Sequence, residues 1–322
     1  MSLRQQQRGV ALLAAILLVA IGTILAAAIA FASAMAARRG TASLSFEQSA
    51  LVAEGAEALA AYALQDDDLK VDHMFESWAR PLPPTEITPG VVLEASMEDL
   101  SGRFNLNSLV DQDGKVDIEA LESLQRLLEM LELEPKWAAE IADWIDPDGN
   151  PTGSEGLEDG GTTSQDPPYR TANTFITSTS ELLALPKFGR ERYRKLAPYV
   201  TALPPGTKLN VCTASGLVLD AMFDEGYRYY SQEPEKLAKD REKGCSPLLQ
   251  AYKDVLQTDK HPTNSKWLAP ILERFTDKSD YFRLTSLVSL GGSEFALYSL
   301  LKREKVGGQI KVRVIQRSFT AN

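Results

Sequence analysis

From Val10 to Ala37 the chain runs for 28 residues without a charged side chain, VALLAAILLVAIGTILAAAIAFASAMAA. As an α-helix this run is about 42 Å long at 1.5 Å per residue, longer than the roughly 30 Å hydrocarbon core of a bilayer. Such a run can span the bilayer as a helix, with the rest of the chain folding as a body attached to it. Arg4 and Arg8 precede the run and Arg38 and Arg39 follow it, so flanking positive charge alone does not orient it. The short basic head favours a cytoplasmic N-terminus with the bulk of the chain exported. A secretory signal has a shorter apolar core, about 7–15 residues, followed by a small-x-small cleavage site. Ala32-Ser33-Ala34 fits such a site only loosely.

Past Arg39, Val52, Ala56, Leu59 and Ala63 recur at i, i+4, i+7 and i+11, with Glu47, Glu54 and Glu57 as polar positions, so residues 44–65 read as an amphipathic continuation of the helix. A Pro-rich passage, Pro81 to Pro89, excludes helix there. Val91 to Leu109 partly alternates and suggests two short strands, with Arg103-Phe104-Asn105-Leu106-Asn107 as a strand end with turn residues. At the far end, 281–290, 295–304 and 309–319 are strand-length runs separated by Gly291-Gly292 and Gly307-Gly308, an antiparallel meander. In the last run Ile310, Val312 and Val314 share one face and Lys311 and Arg313 the other.

Between about 110 and 275 the periodicity is helical. Ile118, Leu121, Leu124, Leu128 and Leu131 mark a helix ended near Glu134 by Pro135; Trp137, Ile141 and Ile145 mark the next; Ser178-Thr179-Ser180-Glu181 offers a capping-box start for a third. The predicted architecture is α+β: a long N-terminal helix on an antiparallel sheet, with a large all-α block inserted between strands. At 322 residues two folding units are expected, and 44% apolar with 24% charged residues excludes a mainly disordered chain.

Residue supply narrows the chemistry. Two histidines (His73, His261) and two cysteines (Cys212, Cys245) cannot build zinc, iron–sulfur or haem-attachment sites, and both histidines read as surface residues. The formal net charge of −10 repels phosphate backbones, so no nucleic-acid partner is expected. Most of that charge is local. Residues 140–166 carry Glu140, Asp143, Asp146, Asp148, Glu155, Glu158, Asp159 and Asp166 with no Lys or Arg. Each close pair of like charges at about 4 Å costs on the order of 1–4 kcal/mol at effective dielectrics of 80 to 20, and a divalent cation would reverse the sign. Asp146, Asp148 and Asn150 are spaced like positions 1, 3 and 5 of an EF-hand, but Pro151 and Leu157 stand where that loop needs Gly and Glu. The loop is therefore not an EF-hand, and composition leaves a cation site and a solvated acidic loop both open. Asp111-Gln112-Asp113-Gly114-Lys115 is a second acidic turn, read as structural.

The leader MSLRQQQRG, ending in Arg8-Gly9 directly against the apolar run, resembles that of the type IV pilin and type II secretion pseudopilin superfamily. The resemblance implies that prepilin peptidase cuts after Gly9 and that Val10 becomes the N-methylated first residue. Most members carry Glu at the fifth mature position, here Ala14; its lack is similar to one minor pseudopilin family, protein K of type II secretion. A carboxylate in lipid needs a partner, and a tip subunit with none above it can do without one. Leu185-Pro186-Lys187-Phe188-Gly189 and Leu209-Asn210-Val211-Cys212-Thr213-Ala214 resemble the SAM-like insert of the same family. Trp144-Ile145-Asp146-Pro147-Asp148, Glu158-Asp159 and Pro167-Pro168-Tyr169-Arg170 with Ala172-Asn173 resemble its calcium-binding region.

By that resemblance the domains are a leader (1–9), a transmembrane helix (10–37), a first part of a pilin domain (38–109), an inserted SAM-like α-helical domain (110–275) and C-terminal pilin strands (276–322). Calcium is the implied cofactor, with Asp146, Asp148, Glu158 and Asp159 as ligands and Asn150, Asp143 and Asp166 as weaker ones. Cys212 and Cys245, in an exported domain, are most simply one disulfide, worth about 2–4 kcal/mol. The expected role is a non-enzymatic minor pseudopilin at the pseudopilus tip. Its expected partners are minor pseudopilins I and J, prepilin peptidase, the inner membrane, and the secretin or exported substrates. Its body would be periplasmic. Two other classes stay open on the residues alone: a DNA-uptake pilin-like protein using the basic cluster Lys187, Arg190, Arg192, Arg194 and Lys195, and an exported hydrolase using a carboxylate pair.

Overall fold

The computed structural model describes residues 3–67, 70–224, 228–259 and 265–320; His261 lies outside them. In chain order the regular elements are α1 (Leu3–Gln65), β1 (Leu82–Thr88), β2 (Val91–Asp99), β3 (Phe104–Asn105), α2 (Ile118–Met130), α3 (Trp137–Ile145), α4 (Asp159–Thr162), α5 (Gly189–Leu196), β4 (Val200–Thr201) and β5 (Leu209–Asn210). They continue with α6 (Gly216–Ala221), α7 (Pro234–Arg241), α8 (Leu249–Asp259), α9 (Ser265–Leu272), β6 (Phe275–Thr276), β7 (Tyr281–Leu290), β8 (Ser293–Val306) and β9 (Gln309–Ser318).

The Ala-rich, proline-free N-terminal sequence makes α1 one continuous helix of 63 residues, about 95 Å long. Its apolar stretch is bare of protein contacts, and among the described residues it is the one helix long and apolar enough to cross a membrane. It ends before Asp66 and Asp67, whose carboxylates are unfavourable at the negative pole of the helix dipole.

The main sheet has the order β1-β2-β7-β8-β9, with antiparallel pairing throughout. The two glycine pairs close its last two hairpins with positive φ at both residues, 58° and 82° at Gly291-Gly292 and 61° and 85° at Gly307-Gly308, the backbone that two-residue type I′ turns require. The Pro-rich passage, read as a break, supplies the edge strand β1. Pro83 and Pro84 are tolerated there because an edge strand needs only one row of ladder hydrogen bonds.

One face of this sheet packs on α1 through Ala53, Ala56, Ala60 and Leu64 against residues such as Leu93, Phe282 and Leu301. The buried stripe is rotated from the expected one: Leu59 is 63% exposed, whereas Glu57, expected on the wet side, is buried. The cause lies at the other end of the chain. A register shift in the β8–β9 ladder makes Leu301 face Val314 but Leu300 face Gln316 and Ser299 face Arg317. The bulge turns Arg317 onto the helix side, as an extra residue in one strand does. There its Nε and Nη2 donate to Glu57 at 2.9 and 2.6 Å, and the Ser299 hydroxyl donates to the same carboxylate at 2.6 Å. Only small residues could let α1 approach the sheet closely enough for that contact, hence the alanines.

Most of the described buried residues between β2 and β7 form a second core, centred on Leu124, Leu127 and Leu128 of α2, Ile141 of α3, Phe188 and Tyr252. The sequence reading ended the first pilin part at Leu109; Phe104, Leu106 and Leu109 instead lie in this helical core, and β3 pairs in parallel with β4 rather than with the main sheet. At the other side Phe275 is also in the helical core and β6 pairs with β5. The packing boundaries therefore fall near Asp99 and Tyr281. Helix α2 stops at Met130, short of Pro135, because Glu132 takes a positive φ of 56°. The capping box at Ser178 forms, but it starts a 3-10 turn, Thr179–Ala184. Pro186 follows too closely for a full helix. Cys212 and Cys245 are disulfide-bonded.

The two cores meet around Arg303 of β8. Both terminal nitrogens are engaged: Nη2 donates to Asp72 at 2.5 Å and to the Ser279 carbonyl at 2.7 Å, and Nη1 donates to Asp67 at 3.1 Å. Arg303 and Asp72 are 3% and 0% exposed. Asn210 of β5 donates to the Asp72 carbonyl, the Ser279 hydroxyl and Asp99 at the end of β2. Removing one partner of a buried pair leaves the other charge uncompensated, at about 3–5 kcal/mol. Arg303→Met is expected to lower unfolding stability by about that amount in denaturant titrations, and an effect under about 1 kcal/mol would show the junction to be solvated.

Candidate functional site

The acidic segment is organised by the end of α3. Asp143 lies in its last turn, Asp146 is its C-cap, and Glu158 precedes α4 at its N-cap. The last turn of α3 holds no basic residue, so two carboxylates face the negative pole of the helix. All three are buried, at 0%, 2% and 9% exposure, and each brings one oxygen within 4.8 Å of the others.

Their hydrogen bonding is incomplete. Asp143 Oδ1 accepts from the Thr152 amide at 2.9 Å, but Asp143 Oδ2, Asp146 Oδ1 and Glu158 Oε1 are buried without a hydrogen-bond partner among the described residues. Buried polar atoms are nearly always paired in folded proteins, and three such carboxylate oxygens in one place could together hold a cation. The loop is shaped around them: a Cβ on Gly156 would lie 2.3 Å from Asp143 Oδ2 and 2.4 Å from the Thr152 nitrogen, so only glycine fits. Burial raises all three carboxyls. Asp146 is pushed up to about 6 by burial and then by the charges of Asp143 and Asp148. Glu158 reaches about 7 through burial and the charges of Asp143, Asp146 and Asp148. Asp143 is raised by burial against the opposing effect of hydrogen bonds from Thr152 and Leu157.

The other expected ligands are placed differently. Asp148 is exposed, and its Oδ1 caps a turn by accepting from the Asn150 amide at 2.7 Å and side chain at 3.0 Å. Asp159 turns away, accepting from the Thr171 amide and hydroxyl at 3.1 and 3.0 Å. Asn150 and Asp166 are exposed. The structure thus joins Asp146 and Glu158 to Asp143, the residue ranked as a weaker ligand. Asn173, part of the resembling segment but not named as a ligand, donates from Nδ2 to the Asp148 carbonyl at 3.2 Å, while its buried Oδ1 lacks a hydrogen-bond partner among the described residues. Its φ of 45° marks a constrained backbone, a property that sequence does not display.

A second carboxylate group, Asp67, Asp72 and Glu76, is comparably close-set, but it already has its cation in Arg303. Glu76 also accepts from Trp78 Nε1 at 2.7 Å. The turn at Asp111 is structural, with its Oδ1 accepting the Asp113 and Lys115 amides at 2.9 Å each. His73 is half-buried, its Nδ1 accepting the Phe75 amide at 3.2 Å.

Because the cluster's carboxyls titrate higher folded than unfolded, their contribution to stability is fully present below the unfolded values, near 4. It is lost as pH rises through about 6 and 7. In chelator the protein is expected to be less stable at pH 8 than at pH 5 by on the order of 2 kcal/mol, at about 1.4 kcal/mol per pKa unit. A variant with Asp143→Asn, Asp146→Asn and Glu158→Gln should lose this part of the pH dependence in thermal melts.

Known proteins resemble this chain over nearly its whole length. The family model for type II secretion system (T2SS), protein K matches residues 102–205, which include the acidic segment. Type II secretion system protein K of Pseudomonas aeruginosa is 35% identical, covering 98% of this chain and 94% of that protein. The protein of the same name from Aeromonas hydrophila is 30% identical, covering 96% and 97%. A chain in the crystal structure of the GspK–GspI–GspJ complex from the enterotoxigenic Escherichia coli type 2 secretion system has the same fold, with a TM-score of 0.71 at 22% identity over 88% of this chain and 100% of that one. A long helix on an antiparallel sheet, a helical block set between two neighbouring strands and near full-length relatives agree: this chain belongs to the type II secretion system protein K family.

Proposed function

We propose that the chain is a minor pseudopilin that caps the pseudopilus of a type II secretion system and takes part in its assembly. The observation that carries this reading is α1, bare along its apolar half and sheet-packed along its second half. Such a helix serves first as a membrane anchor and then, once extracted, as the stem of a filament subunit. The helical block enlarges the body beyond what a repeating subunit needs, which suits a terminal position. Minor pseudopilins I and J are its proposed partners, by analogy with the GspK–GspI–GspJ complex. The role in this reading is structural, and the carboxylates of the α3 cluster are buried rather than open to a substrate as a hydrolase pair must be. In the basic cluster Arg192 donates to the Lys187 and Phe188 carbonyls at 3.1 Å each and Lys195 faces Glu132, while Lys187, Arg190 and Arg194 are exposed. The net charge of −10 is what argues against DNA in this reading.

Prepilin peptidase cleaves between Gly9 and Val10 in this reading, and the body is periplasmic. Mass spectrometry of the protein from membranes with and without the peptidase is expected to show an N-methylated Val10 only in the first. An intact Met1 or cleavage near Ala34 in both would overturn the assignment.

Calcium is the proposed ion at Asp143, Asp146 and Glu158. Calcium–oxygen distances of about 2.3–2.6 Å allow two ligand oxygens to stand up to about 5 Å apart, and those of the three carboxylates all lie within 4.8 Å. When bound, the ion supplies positive charge that cancels the mutual repulsion and pins Glu158 to the end of α3. Calcium at about 100 times its dissociation constant is expected to stabilise the protein by about 2.7 kcal/mol, and Asp143→Asn to abolish most of that gain in thermal melts. Equal melting in calcium and in chelator would exclude the site.

A further inference from the structure

Arg241, the last residue of α7, is half-buried and has no carboxylate partner among the described residues. By contrast, Arg103, Arg126, Arg274, Arg283 and Arg303 each have a carboxylate oxygen within 3.8 Å. Arg241 has only carbonyls: its Nε donates to Ser246 at 2.8 Å, and its Nη2 donates to Ala214 at 2.6 Å and Val211 at 3.2 Å. Those carbonyls lie beside Cys212 and Cys245, so the guanidinium is fixed between the two segments that the disulfide joins. Its Nη1 has no hydrogen-bond partner among the described residues. Burial alone pushes the guanidinium down to about 10, with no carboxylate beside it to oppose that. A charge taken out of water is normally paired, because its desolvation is otherwise uncompensated.

Arg241 lines a cleft of about 590 Å³, within the roughly 300–1,000 Å³ of ligand pockets. The other walls are mainly apolar: Met74 and Phe75 from the segment between α1 and β1, and Tyr199, Leu217, Tyr230 and Leu237 from the helical block. Met74 and Phe75 are 43% and 50% exposed and belong to neither core. The wall on the helical side is built in advance. Asp220, 2% exposed, accepts the amides of Tyr229, Tyr230 and Ser231 at 3.2, 3.0 and 2.8 Å. A Cβ on Gly216 would lie 2.5 Å from the Tyr230 carbonyl oxygen, so glycine lets that segment close on the start of α6. Glu242, the acidic residue in the lining, is exposed and leaves the guanidinium without a pair.

We propose that this cleft captures the C-terminal residue of another polypeptide chain, with an apolar side chain seated against Phe75, Tyr199, Leu217 and Tyr230 and the terminal carboxylate on Arg241. An apolar C-terminal residue carries its charge and its side chain on the same carbon, which matches one cation set in an apolar wall. The bond from a guanidinium to a carboxylate is charge-assisted, about twice as strong as one between neutral groups. Ser215 and Ser231 in the same walls suit a peptide backbone better than a plain alkyl chain. Met74 and Phe75 follow Asp72 by two and three residues. An occupant therefore touches both the segment leading into the sheet and the helical block, beside the junction where the two cores meet.

The test uses the full-length protein in phosphatidylcholine nanodiscs and a fluorescein-labelled peptide ending in Leu-Phe, with either a free C-terminal carboxylate or a C-terminal amide, read by fluorescence anisotropy. Saturable binding of the acid is expected, with the amide about tenfold weaker. Equal affinity for the two, or no saturable binding of the acid up to about 1 mM, overturns the proposal. Arg241→Met is expected to abolish the advantage of the acid over the amide. Because Arg241 also holds three carbonyls, Ala238→Trp serves as a second variant: it lies at an exposed α7 position in the same lining and leaves Arg241 in place. By filling the cleft it should weaken the acid about tenfold with thermal stability retained, and Phe75→Ser should weaken it several-fold. Unchanged binding in Ala238→Trp places the peptide elsewhere and overturns the proposal. Displacement of the peptide by laurate at equal or lower concentration assigns the cleft to fatty acids and likewise overturns it.

Discussion

The structure depends on one buried ion pair, Asp72 with Arg303. Arg303 sits on β8, an interior strand of the sheet, Asp72 on the segment leading from α1 to β1, and Ser279, whose amide also donates to Asp72, on the entry to β7. Through Asn210 and Asp99 the same group reaches β5 and the end of β2, the place where the chain leaves one core for the other. A buried pair of this kind adds little to stability over an apolar alternative, but every arrangement that separates its members leaves a charge stranded in the interior. It therefore selects one docking of the helical block on the sheet among many that apolar packing alone would allow. Asp99, pushed up to about 6 by burial, is held by hydroxyls from Ser279 and Thr213 and belongs to the same selection.

The acidic cluster at α3 poses the opposite electrostatic problem. At the junction, Arg303 satisfies the carboxylates from within the chain. At Asp143, Asp146 and Glu158 the chain offers buried oxygens that have no hydrogen-bond partner among the described residues. The difference is visible in the sequence only as composition, since residues 140–166 contain no Lys or Arg. Which carboxylates converge was not visible. Asp143 and Asp146 are three residues apart on a helix that ends between them, so their side chains project to one side. Asp148 and Asp159 are close in sequence but are drawn off by local hydrogen bonds to Asn150 and Thr171. Motif spacing favours residues at regular intervals, whereas the actual grouping is set by a helix end and by the loop that Gly156 lets close over it.

The same contrast runs through the fold. The long helix, the glycine hairpins, the alternation in β9 and the periodic α2 and α3 are local properties, and each was legible. The edge strand β1 was hidden by its prolines, which block helix and central strand but not an edge. The orientation of α1 was misjudged by part of a turn because a hydrophobicity pattern treats Glu57 as solvent-facing. Its burial depends on Arg317, 260 residues away, and on a bulge that no residue in β9 announces.

The amino-acid sequence by itself determined a membrane-length helix, an antiparallel meander, a helical block between strands and a local excess of negative charge. These follow from side-chain period, backbone preference and composition, all short-range quantities. The tertiary structure alone decided which face of the helix is buried, where one core gives way to the other and which three carboxylates meet. Those outcomes depend on pairing charges and filling space between segments up to 260 residues apart, and burial free energy is defined only once such segments are in contact.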